Sequence, residues 1–209
     1  MKDRLKTGTT TVGIACRDGV VLAADMRATA GNMIVDKRAE KLHIISEDFA
    51  VTIAGTVSDA QLLIKLVRAE LKLKEVKTNR RTTAKEAANL LGGLLYSNIR
   101  RPSMLPGIAH FIMGARDNEG VHLYDLFPDG SITKIKDYVS SGSGSVFAYG
   151  VLEAQYTQDI NTAEGIKLAI KAVNAALQRD SYSGNGINII VVNDKEIKRV
   201  MQKELIANL

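Results

Sequence analysis

The chain reads as an α+β domain of two stacked, mainly antiparallel sheets with helix pairs covering their outer faces. Three observations point there. Strand-like apolar runs come as neighbouring hairpins, helical stretches come in two pairs, and the order is strands, two helices, strands, two helices, strand. Hairpins in place of alternating βαβ units argue for antiparallel sheets with segregated helices and against a doubly wound parallel sheet. A length of 209 residues suits one core, and no linker divides it. Hydrophobic residues at 45% and charged residues at 24% match soluble globular chains. With no tryptophan and 5% aromatics, packing must rest on Leu, Ile, Val and Ala.

Each element follows from local pattern. Thr9 to Ala15 and Val20 to Asp25 pair across a turn at Arg17-Asp18-Gly19, and Leu42 to Ile45 with Phe49 to Ala54 form a second hairpin about Ser46-Glu47-Asp48. From Ser58, an N-cap candidate, to about Lys74, Leu62, Leu63, Leu66, Val67 and Leu71 recur at helical spacing. Thr83 and Glu86 have capping-box spacing and open a second helix to about Arg100. Pro102 and Pro106 break the pattern before strands Ile108 to Ala115 and Val121 to Leu126, separated by Asp117-Asn118-Glu119-Gly120. A short strand spans Ile132 to Ile135. After the small-residue segment Ser140 to Ser145 come helices Val146 to Thr157 and Thr162 to Leu177, the latter opened by Asn161 and Glu164. Ile187 to Val192 is a fully apolar strand, and Lys195 to Leu209 reads as a final helix.

Composition excludes several classes. One cysteine, Cys16, rules out an internal disulfide framework and Cys-rich zinc sites, and favours a reducing, cytoplasmic location. His43, His110 and His122 lack metal-ligand spacing and read as structural, so no metal or cofactor is expected. No apolar run approaches about 18 residues, so no membrane span is expected. The first eight residues lack an apolar core and are no secretory signal, but they suit a short propeptide. Lys72 to Lys85 is the densest basic stretch of a chain of net charge +5; without aromatics for base stacking it reads as a solvated helix end and loop, not a nucleic-acid surface. Removal of residues 1–8 lowers the net charge to +3.

The chemistry centres on Gly8-Thr9-Thr10-Thr11-Val12-Gly13. A cut before Thr9 puts a hydroxyl and a free α-amine on one residue, a nucleophile carrying its own base. An unperturbed α-amine titrates near ~8 and a lysine above ~10, which makes the amine the better base at neutral pH. Taken alone, the segment also reads as a β-branched strand start. Asp25 ends an apolar run and needs a partner, and Lys41 directly precedes a strand; a buried pair between them is either an ordinary salt bridge or a fixed ammonium that favours a deprotonated hydroxyl. Ala54-Gly55-Thr56 is a tight turn or an N–H donor to an oxyanion. Ser141-Gly142-Ser143-Gly144-Ser145 is a flexible turn without the Gly-Lys-Ser/Thr of a P-loop, and Arg179-Asp180-Ser181-Tyr182-Ser183-Gly184 either caps a helix or holds an amine.

In this order, Gly8-Thr9-Thr10-Thr11-Val12-Gly13, Ala24-Asp25-Met26-Arg27, Lys41-Leu42, Ile53-Ala54-Gly55, Gly142-Ser143-Gly144-Ser145 and Arg179 to Gly184 resemble proteasome β subunits of the archaeal type, within the N-terminal nucleophile hydrolases. The resemblance runs from about Thr7 to Val192, and Tyr149-Gly150-Val151-Leu152-Glu153 adds to it. It implies a four-layer α-β-β-α sandwich, a propeptide of residues 1–8, and a catalytic domain of residues 9–209. The chain would cleave its own Gly8-Thr9 bond, freeing Thr9 as the nucleophile of a threonine endopeptidase. Asp25 and Lys41 match the charged pair beside it, Ser143, Asp180 and Ser183 the groups that orient the amine and its water, and Gly55 the oxyanion donor. Thr29 and Val57 match positions that align substrate as an added strand. Ala28, Ala39, His43, Ile53 and Val57 would line the side-chain pocket, with no acid at its floor, so cleavage after hydrophobic residues is expected; His43 stands where an apolar residue would be expected. Implied partners are other β subunits in a heptameric ring, a second such ring, α-subunit rings, an ATPase or other activator, and unfolded polypeptides. The alternatives are a catalytically silent ring subunit and the bacterial two-component threonine peptidase; the intact site set opposes the first, and the Arg179 to Gly184 segment and chain length oppose the second.

Overall fold

The computed structural model describes residues 8–104 and 106–204. The leader as far as Thr7 and the last residues of the expected final helix, 205–209, lie outside these. Among the described residues, twelve strands and four helices follow one another as β1 (Thr11–Cys16), β2 (Gly19–Asp25), β3 (Ala28–Ala30), β4 (Met33–Asp36), β5 (Leu42–Ile44), β6 (Phe49–Gly55), α1 (Val57–Thr78), α2 (Ala84–Ile99), β7 (Ala109–Asp117), β8 (Gly120–Leu126), β9 (Ile132–Ile135), β10 (Tyr138–Ser141), α3 (Ser145–Gln155), α4 (Thr162–Arg179), β11 (Gly186–Val192) and β12 (Ile197–Glu204), in the expected order of strands and helix pairs. Two five-stranded sheets, ordered β10-β1-β2-β11-β12 and β5-β6-β7-β8-β9, are antiparallel throughout, and β3-β4 forms a separate ribbon.

Strand alternation explains the layers. On β2, Val21 and Ala23 face α3 and α4 while Val20, Leu22 and Ala24 face the other sheet. On β7, Phe111 and Met113 join the cluster under α1 and α2, and Ile112 points the opposite way to meet Leu22 and Leu123. Every central strand buries both faces, which yields the four-layer α-β-β-α sandwich. The capping boxes are present at both expected helices: Thr83 with Glu86, and Asn161 with Glu164.

Local differences have local causes. Within the described part of the expected final helix, residues 195–204, no helix forms; Ile197–Glu204 is a strand paired with β11. Asn193 Oδ1 accepts the N–H groups of Lys195 (2.9 Å) and Glu196 (2.8 Å), making a turn that sends the chain back along the sheet. Ile197, Arg199 and Met201 then alternate inward with period two. Thr56, not Ser58, holds the N-cap of α1, without a side-chain capping bond, and the helix runs to Thr78 before Asn79 ends it in the left-handed region. The Ser140 to Ser145 segment is in part strand, β10, and the ribbon β3-β4 has no counterpart in the sequence pattern. The basic stretch is a helix end and loop: Arg80 and Lys74 pair with Glu86 at 2.6 and 3.0 Å, and Arg81 with Asp48 at 3.1 Å. Among the described residues no helix is long and apolar enough to cross a membrane.

Leu22 is fully buried between the sheets, so Leu22→Ala is expected to lower the unfolding free energy by about 2–5 kcal/mol, read as a lower denaturant midpoint at unchanged slope.

Candidate active site

Asp25 ends β2 with no exposed surface, and its carboxylate is fully committed. Oδ1 accepts from Lys41 Nζ at 2.7 Å and the Thr10 N–H at 2.9 Å; Oδ2 accepts from the N–H groups of Arg27 (3.0 Å) and Gly184 (2.9 Å). Four donors from four chain segments compensate a charge that burial alone would make prohibitive. Lys41 is held from the other side, since its carbonyl accepts the Ile53 N–H of β6 at 2.9 Å. Its ammonium is buried as well, and desolvation holds its pKa below the ordinary lysine value while Asp25 pulls the other way. The same Nζ donates to the Gly8 carbonyl oxygen at 3.4 Å.

Thr9 lies at this pair, in the segment that leads into β1, and is itself buried. Its hydroxyl donates to the Gly8 carbonyl oxygen at 2.7 Å. Its N–H donates to Ser143 Oγ at 3.2 Å. Ser143 Oγ and Ser183 Oγ each donate to Asp180 Oδ2 at 2.6 Å. Asp180 is the C-cap of α4, where its N–H still bonds the Ala176 carbonyl while its backbone has turned extended, so the helix end aims the carboxylate at the start of β1. The Arg179 to Gly184 segment thus caps a helix and serves the Thr9 amide at once.

Beside Thr9 opens a cavity of about 410 Å³. All six residues expected to contact substrate, Ala28, Thr29, Ala39, His43, Ile53 and Val57, line it together with Lys41 and Gly55. Gly55 sits at φ +102°, and a Cβ there would collide with the Ile108 carbonyl oxygen, so the turn from β6 to α1 requires glycine. Thr29 Oγ1 accepts the Gly8 N–H at 3.4 Å, which places Gly8 beside β3. Burial lowers the pKa of His43 below the ordinary 6.5, and its Nε2 contacts the Glu40 carbonyl oxygen at 3.1 Å. The pocket wall is therefore uncharged at His43 at neutral pH.

Several participants have no sequence signal of their own. Val35 and Asp36 reach the cavity on β4, and Glu40 on the following loop. Thr10 Oγ1 lies 2.7 Å from Ser183 Oγ, tying the start of β1 to the network of Ser143, Asp180 and Ser183. Arg27 lies over Gly184 and donates to Asn185 Oδ1 (2.8 Å) and the Ser181 carbonyl (2.9 Å), clamping the loop that carries Ser183. An arginine two residues after a buried aspartate was the available clue. Cys16 is elsewhere, and burial followed by the nearby Asp18 and Glu164 pushes its thiol up to about 12, which leaves it inert. Among the described residues no group of three or more His, Cys, Asp or Glu side chains is arranged to hold a metal ion.

The arrangement combines a hydroxyl, a buried cation, a network around one backbone nitrogen and an adjoining cleft, the parts that nucleophilic acyl transfer needs. Comparison with known proteins agrees in kind. The sequence profile of the family described as "Proteasome subunit" matches residues 5–192. A "Proteasome subunit beta" of Methanocaldococcus vulcanius is 42% identical over 199 residues, covering 95% of this chain and 87% of that protein. One of Methanocaldococcus fervens is 44% identical over the same shares. One of Ferroglobus placidus is 41% identical over 207 residues, covering 99% of this chain and 97% of that protein. With the sandwich fold and this breadth of match, the chain belongs to the proteasome subunit family and is similar throughout to its archaeal β subunits.

Proposed function

We propose that the chain is a threonine-type endopeptidase of the proteasome core, made as a precursor that cuts itself between Gly8 and Thr9. The observation that carries this reading is the Thr9 hydroxyl lying against the Gly8 carbonyl at 2.7 Å with the Lys41 ammonium 3.4 Å from the same oxygen. In the precursor, Thr9 Oγ adds to the Gly8 carbonyl carbon, the Gly8-Thr9 C–N bond breaks, and an ester to Oγ forms as the Thr9 amine is freed. Water then hydrolyses the ester, leaving a Gly8 carboxylate and restoring the hydroxyl. Gly8 suits this bend because a Cβ at that position would overlap Tyr182 Cβ and crowd Ser143 Oγ.

The processed residue works on substrate by the same chemistry. Thr9 Oγ adds to the scissile carbonyl carbon as its proton passes to the Thr9 amine, directly or through water held by Ser143, Asp180 and Ser183. Lys41, fixed by Asp25, lowers the energy of the alkoxide, and the Gly55 N–H donates to the tetrahedral oxyanion, a contribution worth about 3 kcal/mol of barrier in comparable sites. Collapse expels the C-terminal fragment as an amine carrying the returned proton, and water hydrolyses the remaining ester. Thr29 and Val57 align the substrate backbone, and Ala28, Ala39, Ile53 and His43 receive an apolar side chain. The fully compensated Asp25 and Lys41 pair favours this reading over a silent ring subunit, which has no use for a buried ammonium beside a hydroxyl.

As a proteasome β subunit, the chain assembles with other proteasome subunits. We assign it to a heptameric β ring stacked on a second one in the cytoplasm, capped by α rings that receive unfolded polypeptide from an ATPase or other activator. Enclosure has a physical reason, since so unspecific a peptidase must be kept from folded proteins.

On assembly with an α subunit, intact mass and N-terminal sequencing should show a chain beginning at Thr9; Thr9→Ala should assemble but hydrolyse no peptide, and retained turnover in homogeneous Thr9→Ala particles overturns the nucleophile. Gly8→Val should leave the leader attached by intact mass, whereas a chain expressed to begin directly at Thr9 should be active without it. His43 gains its proton only below 6.5, so the preference for leucine over glutamate before the cut should hold at neutral pH and weaken as pH falls through that region; His43→Leu should make the ratio of kcat/KM values flat with pH.

A further inference from the structure

Ser141, His110 and Asp125 form a chain of side chains that the reaction as described does not use. Ser141 Oγ lies 2.7 Å from His110 Nδ1, and His110 Nε2 lies 2.6 Å from Asp125 Oδ1. Ser141 is the last residue of β10, at the edge of one sheet; His110 and Asp125 stand on β7 and β8 of the other. Ser141 and Asp125 are buried, and the imidazole rests against Phe127 with ring centroids 4.9 Å apart. One ring thus spans the gap between two sheets with a polar contact at each end.

Both ends of this link touch segments that meet at Thr9. On the first side, Ser141 is followed by Gly142 and Ser143: the Gly144 N–H donates to the Thr9 carbonyl at 3.3 Å, and Ser143 Oγ receives the Thr9 N–H. Within its sheet β10 sits at the edge and pairs with β1, Ser141 opposite Thr11. On the second side, His110 pairs with Ala54 in the β6-β7 ladder, and the next pair is Gly55 with Ala109. The ring therefore joins the loop that holds the Thr9 nitrogen to the strands that hold Gly55.

We propose that His110, oriented by Asp125, is a positioning residue: through Ser141 it fixes the Gly142–Ser143 turn relative to Gly55, so that the amine side and the oxyanion side of the site keep one spacing. This rests on Thr9 being the nucleophile. An imidazole suits the task because it carries two polar atoms in a rigid ring, donating to the Asp125 carboxylate from Nε2 while Nδ1 accepts from the Ser141 hydroxyl. A glutamine amide offers the same pairing, one N–H donor and one oxygen acceptor. Small misplacements at a reacting centre have large kinetic effects.

The test uses fully assembled particles made with an α subunit, compared for the wild-type chain, His110→Ala, Ser141→Ala, the double variant and His110→Gln. Thr9 occupancy is scored by mass after reaction with a peptide boronate. His110→Ala and Ser141→Ala should each lower kcat for peptide hydrolysis on the order of tenfold with KM changed by less than about twofold. The double variant should fall no further than His110→Ala, and His110→Gln should recover most of the loss. If Ser141→Ala, which spares the His110 and Asp125 contact, keeps wild-type kcat in particles whose Thr9 takes the boronate, the positioning role is overturned while the nucleophile stands. Losses that multiply in the double variant overturn it too. Should the wild-type particle fail to take the boronate at Thr9, the nucleophile falls and the positioning role with it. Where His110→Ala does not assemble, Ser141→Ala carries the decision alone.

Discussion

The buried ion pair between Asp25 and Lys41 is the constraint on which the rest of the site depends. Neither charge has appreciable contact with water, so each must be matched inside the protein. The match recruits the end of β2, the segment before β5, the start of β1 through the Thr10 N–H, and the loop after α4 through the Gly184 N–H. Removing any one partner leaves a buried charge with a vacant bond. Four stretches far apart in sequence are thereby forced to one point, and Thr9 is adjacent to it.

Around that point the two sheets have different duties. The sheet containing β1, β2 and β11 carries Thr9 and Asp25, and with the α4 end it supplies everything that touches the Thr9 nitrogen. The opposite sheet, its approach and α1 supply Lys41, Gly55 and most of the cavity wall. Their apolar interface, with Leu22, Ile112 and Leu123 at its centre, sets the separation in the interior. At the open end, polar contacts replace apolar ones: Lys41 to Asp25, and Ser141 to His110, each cross from one sheet's segments to the other's. A site assembled between two sheets needs that stiffness, because its groups do not share a secondary-structure element.

Much of the fold was legible because its signals are local. Hairpin turns, the capping boxes at Thr83 and Asn161, and the alternation along β2 and β7 each lie within a few residues. The misreading of Lys195 to Leu209 has the same root: Ile197 to Glu204 is charged and nowhere fully buried, so its alternation is faint, and the decisive fact is the edge of β11 with which it pairs. The ribbon β3-β4 was invisible because Met33, Ile34 and Val35 are exposed and bear no burial pattern. Site residues with a recognisable chemistry were found, whereas the roles of Thr10, Arg27 and His110 were not, because these side chains and amides act through partners between 15 and 173 positions away.

By itself the sequence determined the layered α+β architecture, the family, and the identity of residues able to supply a nucleophile, a cation, a carboxylate and hydroxyls. It did so because residue type and short-range periodicity are properties of the chain. Tertiary structure alone decided that the Thr9 hydroxyl meets the Gly8 carbonyl, that Lys41 is held by Asp25 and not left in water, and that one cavity gathers residues from Ala28 to Val57. The last two are distances across sheets and ribbons, fixed by register and by the packing between layers, and the first depends on the backbone conformation that this packing imposes on Gly8 and Thr9. No local pattern contains them.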